Sequence, residues 1–222
     1  DMDGIKAYNK WDRGKGIVMH GHYAPNEQTP YTGWVKWFHA TPWWSALLFQ
    51  VKDGKVNGSW HDWYSNGQKK LESIYKNGKL DGLRTKWYFN GQKMHELIYK
   101  EGKLVTAVAW KINGGKCPHT KVMNENGIVV EYGEDGTKER RATYKDGEVD
   151  GLFTQWYENG QKQAEVNFKN GKIMTAVVWK PNGEKCPVTN VVNGNGVWVN
   201  YYRDDGTIEG EYIYKDGELV ED

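Results

Sequence analysis

A tandem repeat of roughly 23 residues constrains this chain more than any other feature. Aligned on a leading aromatic, the copies begin at Trp37, Trp63, Trp87, Trp110, Tyr132, Trp156, Trp179 and Tyr201, at nearly even intervals. Three copies are nearly identical at their centre: Trp63-Tyr64-Ser65-Asn66-Gly67-Gln68-Lys69, Trp87-Tyr88-Phe89-Asn90-Gly91-Gln92-Lys93 and Trp156-Tyr157-Glu158-Asn159-Gly160-Gln161-Lys162. A fixed period of this length means one small structural unit stacked many times. A longer period, roughly 69 residues, lies on top. It carries Cys117-Pro118 onto Cys186-Pro187, and Thr106-Ala107-Val108-Ala109-Trp110-Lys111 onto Thr175-Ala176-Val177-Val178-Trp179-Lys180. Three unlike units therefore form a triplet that is duplicated.

Each unit is punctuated twice by Asn-Gly or Asp-Gly. One mark follows the aromatic pair (Asn66-Gly67, Asn90-Gly91, Asn159-Gly160), and the other follows the next apolar stretch (Asp53-Gly54, Asn77-Gly78, Asn170-Gly171). These dipeptides favour type I′ hairpin turns, which need positive φ at both central residues. The stretches between them alternate with period two, the mark of a strand with one packed and one wet face. In Leu83-Arg84-Thr85-Lys86-Trp87 the odd positions are the larger, less polar ones and the even ones are basic.

The fold class expected is all-β: a single extended antiparallel meander of about eight tandem hairpins in a twisted sheet. Residues 1–29 form an N-terminal segment and cap, and 30–222 the repeats, as one continuous domain. Each hairpin is too small to stand alone and packs its ring on its neighbours. Composition agrees. Only 38% of the residues are apolar, yet 12 are Trp and 14 Tyr, which suits a thin sheet held by large rings rather than a thick aliphatic core. The geometry also separates the two cysteines. Cys117 and Cys186 sit three hairpins apart, roughly 29 Å, whereas a disulfide needs Cα atoms within about 7 Å. No bond between them is expected.

The recurring Trp-Tyr-x-Asn-Gly-Gln-Lys (87–93), with the Glu and the apolar-Tyr-Lys-Asn-Gly-Lys-Leu-Asp-Gly stretch (72–82), resembles the MORN-variant repeat. The resemblance extends over about residues 30–222. It departs from the pattern near Cys117 and Cys186, where the second aromatic is missing, and at the first unit, where Trp43-Trp44 interrupts the turn. Bacterial proteins built of such repeats are commonly described as antitoxin components of toxin–antitoxin systems. The resemblance implies a non-enzymatic all-β scaffold for protein contacts, and less securely for lipid headgroups.

Several chemistries fit poorly. Thirty basic and 29 acidic side chains leave a formal charge of +1, with no global field for nucleic acid. No apolar run reaches the roughly 18 residues of a membrane span. His20 and His22 lack a third ligand nearby, so no metal site is assigned. Cys117-Pro118-His119 has a copy without the histidine, and reads as packing rather than a nucleophile with its base. Glu72, Glu96, Glu139, Glu165 and Glu211 recur with the repeat, which suits cross-strand pairing with lysine rather than one acid–base pair. No catalytic residue and no cofactor are assigned.

The candidate partner-binding residues are Trp34, Trp43, Trp44 and Trp60, since adjacent tryptophans in a loop mark a binding surface. The leading function is a repeat scaffold that binds another protein, including antitoxin-like neutralisation or assembly. Carbohydrate or cell-envelope binding by the aromatic-rich hairpins is the alternative, and anionic lipid binding by the lysine face a third. Partner identity and oligomeric state are open at this level. So is location, since a chain that begins at Asp1 fits a bacterial protein exported with signal cleavage as well as a cytoplasmic one.

Overall fold

The computed structural model describes residues 32–38, 46–202 and 206–220. It bears out the all-β reading: among the described residues there are sixteen strands and no helix. The expected N-terminal segment 1–29 lies outside the described residues. The chain divides at Lys103 into two units. The first contains β1 (Gly33–Phe38), β2 (Ala46–Lys52), β3 (Lys55–Trp63), β4 (Lys69–Lys76), β5 (Lys79–Trp87) and β6 (Lys93–Lys100). β7 (Lys103–Ala109) opens the second. It is followed by β8 (Lys121–Met123), β9 (Asn126–Tyr132), β10 (Lys138–Lys145), β11 (Glu148–Trp156), β12 (Lys162–Lys169) and β13 (Lys172–Val178). β14 (Gly196–Tyr201), β15 (Ile208–Lys215) and β16 (Glu218–Leu219) complete it. The strands follow in sequence order from β1 to β13, an antiparallel meander that does not close; β14 to β16 form a separate sheet.

That separation has a local cause. In the first triplet β8 pairs with β9 through backbone groups, Lys121 opposite Ile128. Asn190 replaces Lys121 in the copy. Its side-chain oxygen takes the Val197 N–H at 2.8 Å, while Val192 makes only isolated bridges to Thr175 and Asn195. A short side chain that hydrogen-bonds nearby backbone competes with the ladder.

The core is a set of cross-strand rows. In the first unit, Val35, Phe49, Trp60, Ser73, Arg84 and Leu97 are successive register partners and share one face. Phe49, Trp60, Ser73 and Leu97 are buried. The expected faces of β5 are thus partly reversed: Arg84 stands in the core-side row, and Leu83 is 47% exposed on the other side. The row explains why. Ser73, directly opposite, is too small to fill the site alone, and the long stem of Arg84 packs there while the residue stays partly open to solvent. In the second unit Val129, Ala142, Phe153, Val166 and Ala176 repeat the row with apolar residues.

The two kinds of Gly turn fold differently, which corrects the expectation that both are type I′. Asp53, Asn77, Asp146, Asn170 and Asp216 have φ near +50°, each followed by a glycine of positive φ. These are type I′ turns with two-residue loops, as where Lys76 pairs with Lys79. Ser65 and Asn66 have no positive φ; only Gly67 does, at +81°. Gly67 N–H donates to Tyr64 O at 3.0 Å and Tyr64 N–H to Gln68 O at 2.9 Å. A hydrogen-bonded turn with two central residues of negative φ is type I, and the glycine after it forms the bulge of a three-residue loop. The extra residue appears as a register shift between Asp62 and Trp63.

Candidate functional site

The aromatic pair and the turn after it tie each hairpin to the next. Tyr64 O–H donates to Trp87 O at 2.7 Å and Asn66 Nδ2 to Phe89 O at 3.0 Å. The second unit repeats both contacts: Tyr157 O–H donates to Trp179 O and Asn159 Nδ2 to Pro181 O, each at 2.8 Å. The asparagine oxygen also accepts from the backbone two residues on, as Asn66 Oδ1 does from Gln68 N–H. The lysine that ends the motif lies over the next tryptophan, Lys69 at 5.7 Å from the Trp87 centroid and Lys162 at 5.6 Å from Trp179. Glu72 and Glu165 hold these lysines from three residues further along the same strand. Glu72, Glu96 and Glu165 therefore pair with lysine along the strand rather than cross-strand as expected. Glu72 also receives His61 at 3.3 Å from the neighbouring strand.

The other edge uses the type I′ turns. Asn77 N–H donates to Asn57 Oδ1 at 3.0 Å and Gly78 N–H to Val56 O at 2.8 Å. Asn170 N–H to Asp150 Oδ2 at 2.9 Å and Gly171 N–H to Val149 O at 3.0 Å repeat the pattern. The tyrosine, asparagine and lysine of the repeat thus have structural tasks between neighbouring hairpins. Residues 80–101 and 149–170 match a family model described as MORN repeat variant. No curated protein matches the chain. The triplet period carries the first matched segment onto the second, end for end, so the match falls on the same member of each triplet.

Two of the four candidate tryptophans, Trp34 and Trp60, lie among the described residues. Trp60 is buried and stacks on Phe49, ring centroids 4.4 Å apart, with Tyr75 on its far side at 6.0 Å. Trp34 is 42% exposed and opposite Gln50, whereas Trp60 is opposite Phe49, so the two point to opposite faces of the sheet. Trp43 and Trp44 lie outside the described residues. His20 and His22 do too, and among the described residues no group of metal-ligating side chains occurs. No helix among those residues is long and apolar enough to cross a membrane.

Cys117 and Cys186 are free and buried, as the spacing predicts. Each is a packing residue anchored by its backbone, Cys117 N–H to Ala109 O and Cys186 N–H to Val178 O, both 2.8 Å. Tyr201 O–H donates to Cys186 Sγ at 2.9 Å. Burial, with the Cys186 sulfur beside it, pushes the Tyr201 phenol up to about 12. Thr189 donates to the same sulfur at 3.4 Å, and these donors outweigh burial and draw the thiol below its ordinary range.

Two surface features were not foreseen. On the first unit, Ile74, Leu83 and Ile98 are 43%, 47% and 46% exposed on the face opposite the Trp60 row. Leu83 and Ile98 are register partners, and Ile74 and Leu83 stand next to the paired Ser73 and Arg84 on neighbouring strands, so the three lie side by side. Each sits in an alternating stretch, and only the face assignment, set by the bulges, separates them from core. On the second unit a cavity of about 310 Å³ opens between the turn Gly133–Thr137 and Trp156. Glu134, Asp135, Glu139 and Glu158 line it against one cation, Lys138. Its mark in the sequence is Gly133, a glycine in place of the second aromatic of the repeat.

Proposed function

We propose that the chain is a non-enzymatic scaffold that binds another protein through the exposed face of its first unit. The observation that carries this reading is the adjoining row Ile74, Leu83 and Ile98, three large apolar side chains left open on a sheet whose other side already holds the core. Contiguous apolar patches on a surface mark interaction sites, and the MORN match supports a scaffold. The polar side chains of the repeat are used to join hairpins, which fits a surface that presents rather than reacts. The finer reading, carried by the family resemblance, is that the partner is neutralised as an antitoxin neutralises its toxin. Capture from a lysate of the source organism with the wild type and an Ile74→Glu/Ile98→Glu double variant tests it. One stoichiometric protein lost from a variant of unchanged circular dichroism supports the scaffold and the face. The same protein retained removes the face.

A second reading has its own observation. The type I′ turns of the first unit are flanked by Lys52 and Lys55 and by Lys76 and Lys79, opposed pairs of exposed like charge along one edge. Such an edge fits an anionic surface. It predicts binding to vesicles containing an anionic phospholipid that weakens with added salt and is absent for neutral vesicles.

A further inference from the structure

The repeat supplies its own control for the cavity on the second unit. The turn after β9 follows the same backbone path as the other type I turns. Gly133 N–H donates to Thr137 O at 2.9 Å and Gly136 N–H to Gly133 O at 3.0 Å, just as Tyr157 N–H donates to Gln161 O and Gly160 N–H to Tyr157 O. The first residue of that path is tyrosine at Tyr64 and Tyr157, and its ring reaches the next tryptophan carbonyl. Here it is glycine, so no ring reaches Trp156 O. Its φ lies outside the left-handed region, and the backbone does not require glycine.

A second contact is lost at the same place. Lys138 occupies the position of Lys69 and Lys162, but three residues on stands Arg141 where those repeats have Glu72 and Glu165. Lys138 does not lie over Trp156, and no cation among the described residues does, although Trp87 and Trp179 each carry one. A tryptophan with no cation over its ring, the missing phenol and the cavity coincide. Around them the carboxylates of Asp135 and Glu158 outnumber the single ammonium of Lys138. The backbone N–H of Thr137, with its hydroxyl, holds the Asp135 carboxyl below its ordinary range.

We propose that this cavity receives an arginine side chain of a protein partner. This rests on the reading of the chain as a protein-binding scaffold. The vacated space calls for one group that is flat, donates hydrogen bonds and carries positive charge. A guanidinium is all three: it stacks on an indole face, and its fork of donors pairs with carboxylates. A lysine ammonium is a compact, strongly hydrated point charge that does not fill a ring-shaped space.

The test uses the full chain and N-acetylarginine amide as the probe, followed by the Trp156 indole N–H resonance, which is assigned by its loss in Trp156→Phe. The lysine and citrulline analogues serve as controls. Arginine amide shifts the resonance saturably. The lysine analogue binds at least about fivefold more weakly, the uncharged citrulline analogue does not bind, and added salt weakens the arginine response. Gly133→Tyr restores the ring and abolishes the shift; an added Cβ there meets only the end of the Asp135 side chain, at 2.8 Å. Glu158→Gln weakens binding severalfold and decides the matter if Gly133→Tyr does not fold. No saturable shift, an equal response to lysine, or a full response in Gly133→Tyr overturns the proposal. The failures are separable. A captured partner that binds Gly133→Tyr as well as wild type overturns the arginine pocket alone. Arginine binding without any captured protein leaves the pocket and overturns the scaffold.

Discussion

Glu101 and Glu158 are both exposed turn residues followed by glycine or Asn-Gly, yet replacing each with asparagine has different consequences. Glu101 is the first central residue of a type I′ turn, with φ +52° and Gly102 at +88°. Its N–H is held by Asp81 Oδ1 at 3.2 Å, and among the described residues its carboxylate makes no hydrogen bond or ion pair to lose. A left-handed backbone costs an ordinary L-residue roughly 1–2 kcal/mol, and asparagine tolerates it far better. Glu101→Asn therefore stabilises the fold by about 1 kcal/mol, or a rise in Tm of roughly 2–4 °C for a chain of this size. Glu101→Gly gains less, because glycine surrenders about 0.5–1 kcal/mol of backbone freedom. Glu158 is the first central residue of a type I turn, where φ is negative. Glu158→Asn stays within about 0.5 kcal/mol of wild type. The assay is urea unfolding by circular dichroism, reading the midpoint at constant slope. A neutral or destabilising Glu101→Asn, or an equal gain from Glu158→Asn, refutes the division of the Gly turns into two conformations.

Other perturbations probe the joints and the core. Tyr157→Phe removes the hydroxyl that reaches Trp179 O and costs about 1 kcal/mol, read from the same urea midpoint. Trp60→Ala empties the buried site against Phe49 and costs about 3–5 kcal/mol by thermal melting. Tyr201 gives a pH signature. The folded phenol keeps its proton up to about 12, whereas the unfolded one loses it near 10. Between those values the unfolded state binds fewer protons, so stability falls as pH rises through that window. Tyr201→Phe flattens this fall; an unchanged alkaline slope in urea melts sinks the assignment.

Much of the fold was legible because the repeat writes it several times over. The strands, their order and the free cysteines follow from period and spacing. Turn conformation was not legible from the dipeptide alone. Asn77-Gly78 and Asn66-Gly67 read alike, but the frame decides: Lys76 and Lys79 close a two-residue loop, while Tyr64 and Gln68 close a three-residue one. That extra residue shifts the register at Trp63, and with it the face on which each later side chain falls. This is why alternation alone places Leu83 on the packed side and Arg84 on the wet one. Nor does composition show that Trp34 and Trp60 point to opposite faces, which follows from their pairing with adjacent residues of β2. The cavity at Gly133 needed a spatial fact, the reach of the tyrosine ring into the next repeat, that one sequence does not carry.

The contacts that join one hairpin to the next span only 20 to 23 residues of chain, as in Asn77 to Asn57, Glu101 to Asp81, Tyr157 to Trp179 and Tyr64 to Trp87. Loop closure over so short and so constant a distance carries nearly the same modest entropy at every step. β proteins commonly fold slowly because their strands pair with distant segments. The short, constant separation here lowers that cost at each step, because every hairpin contacts the one beside it in sequence. Gain or loss of a whole triplet leaves every junction of the same kind as before, which makes length the property of this architecture that is easiest to change.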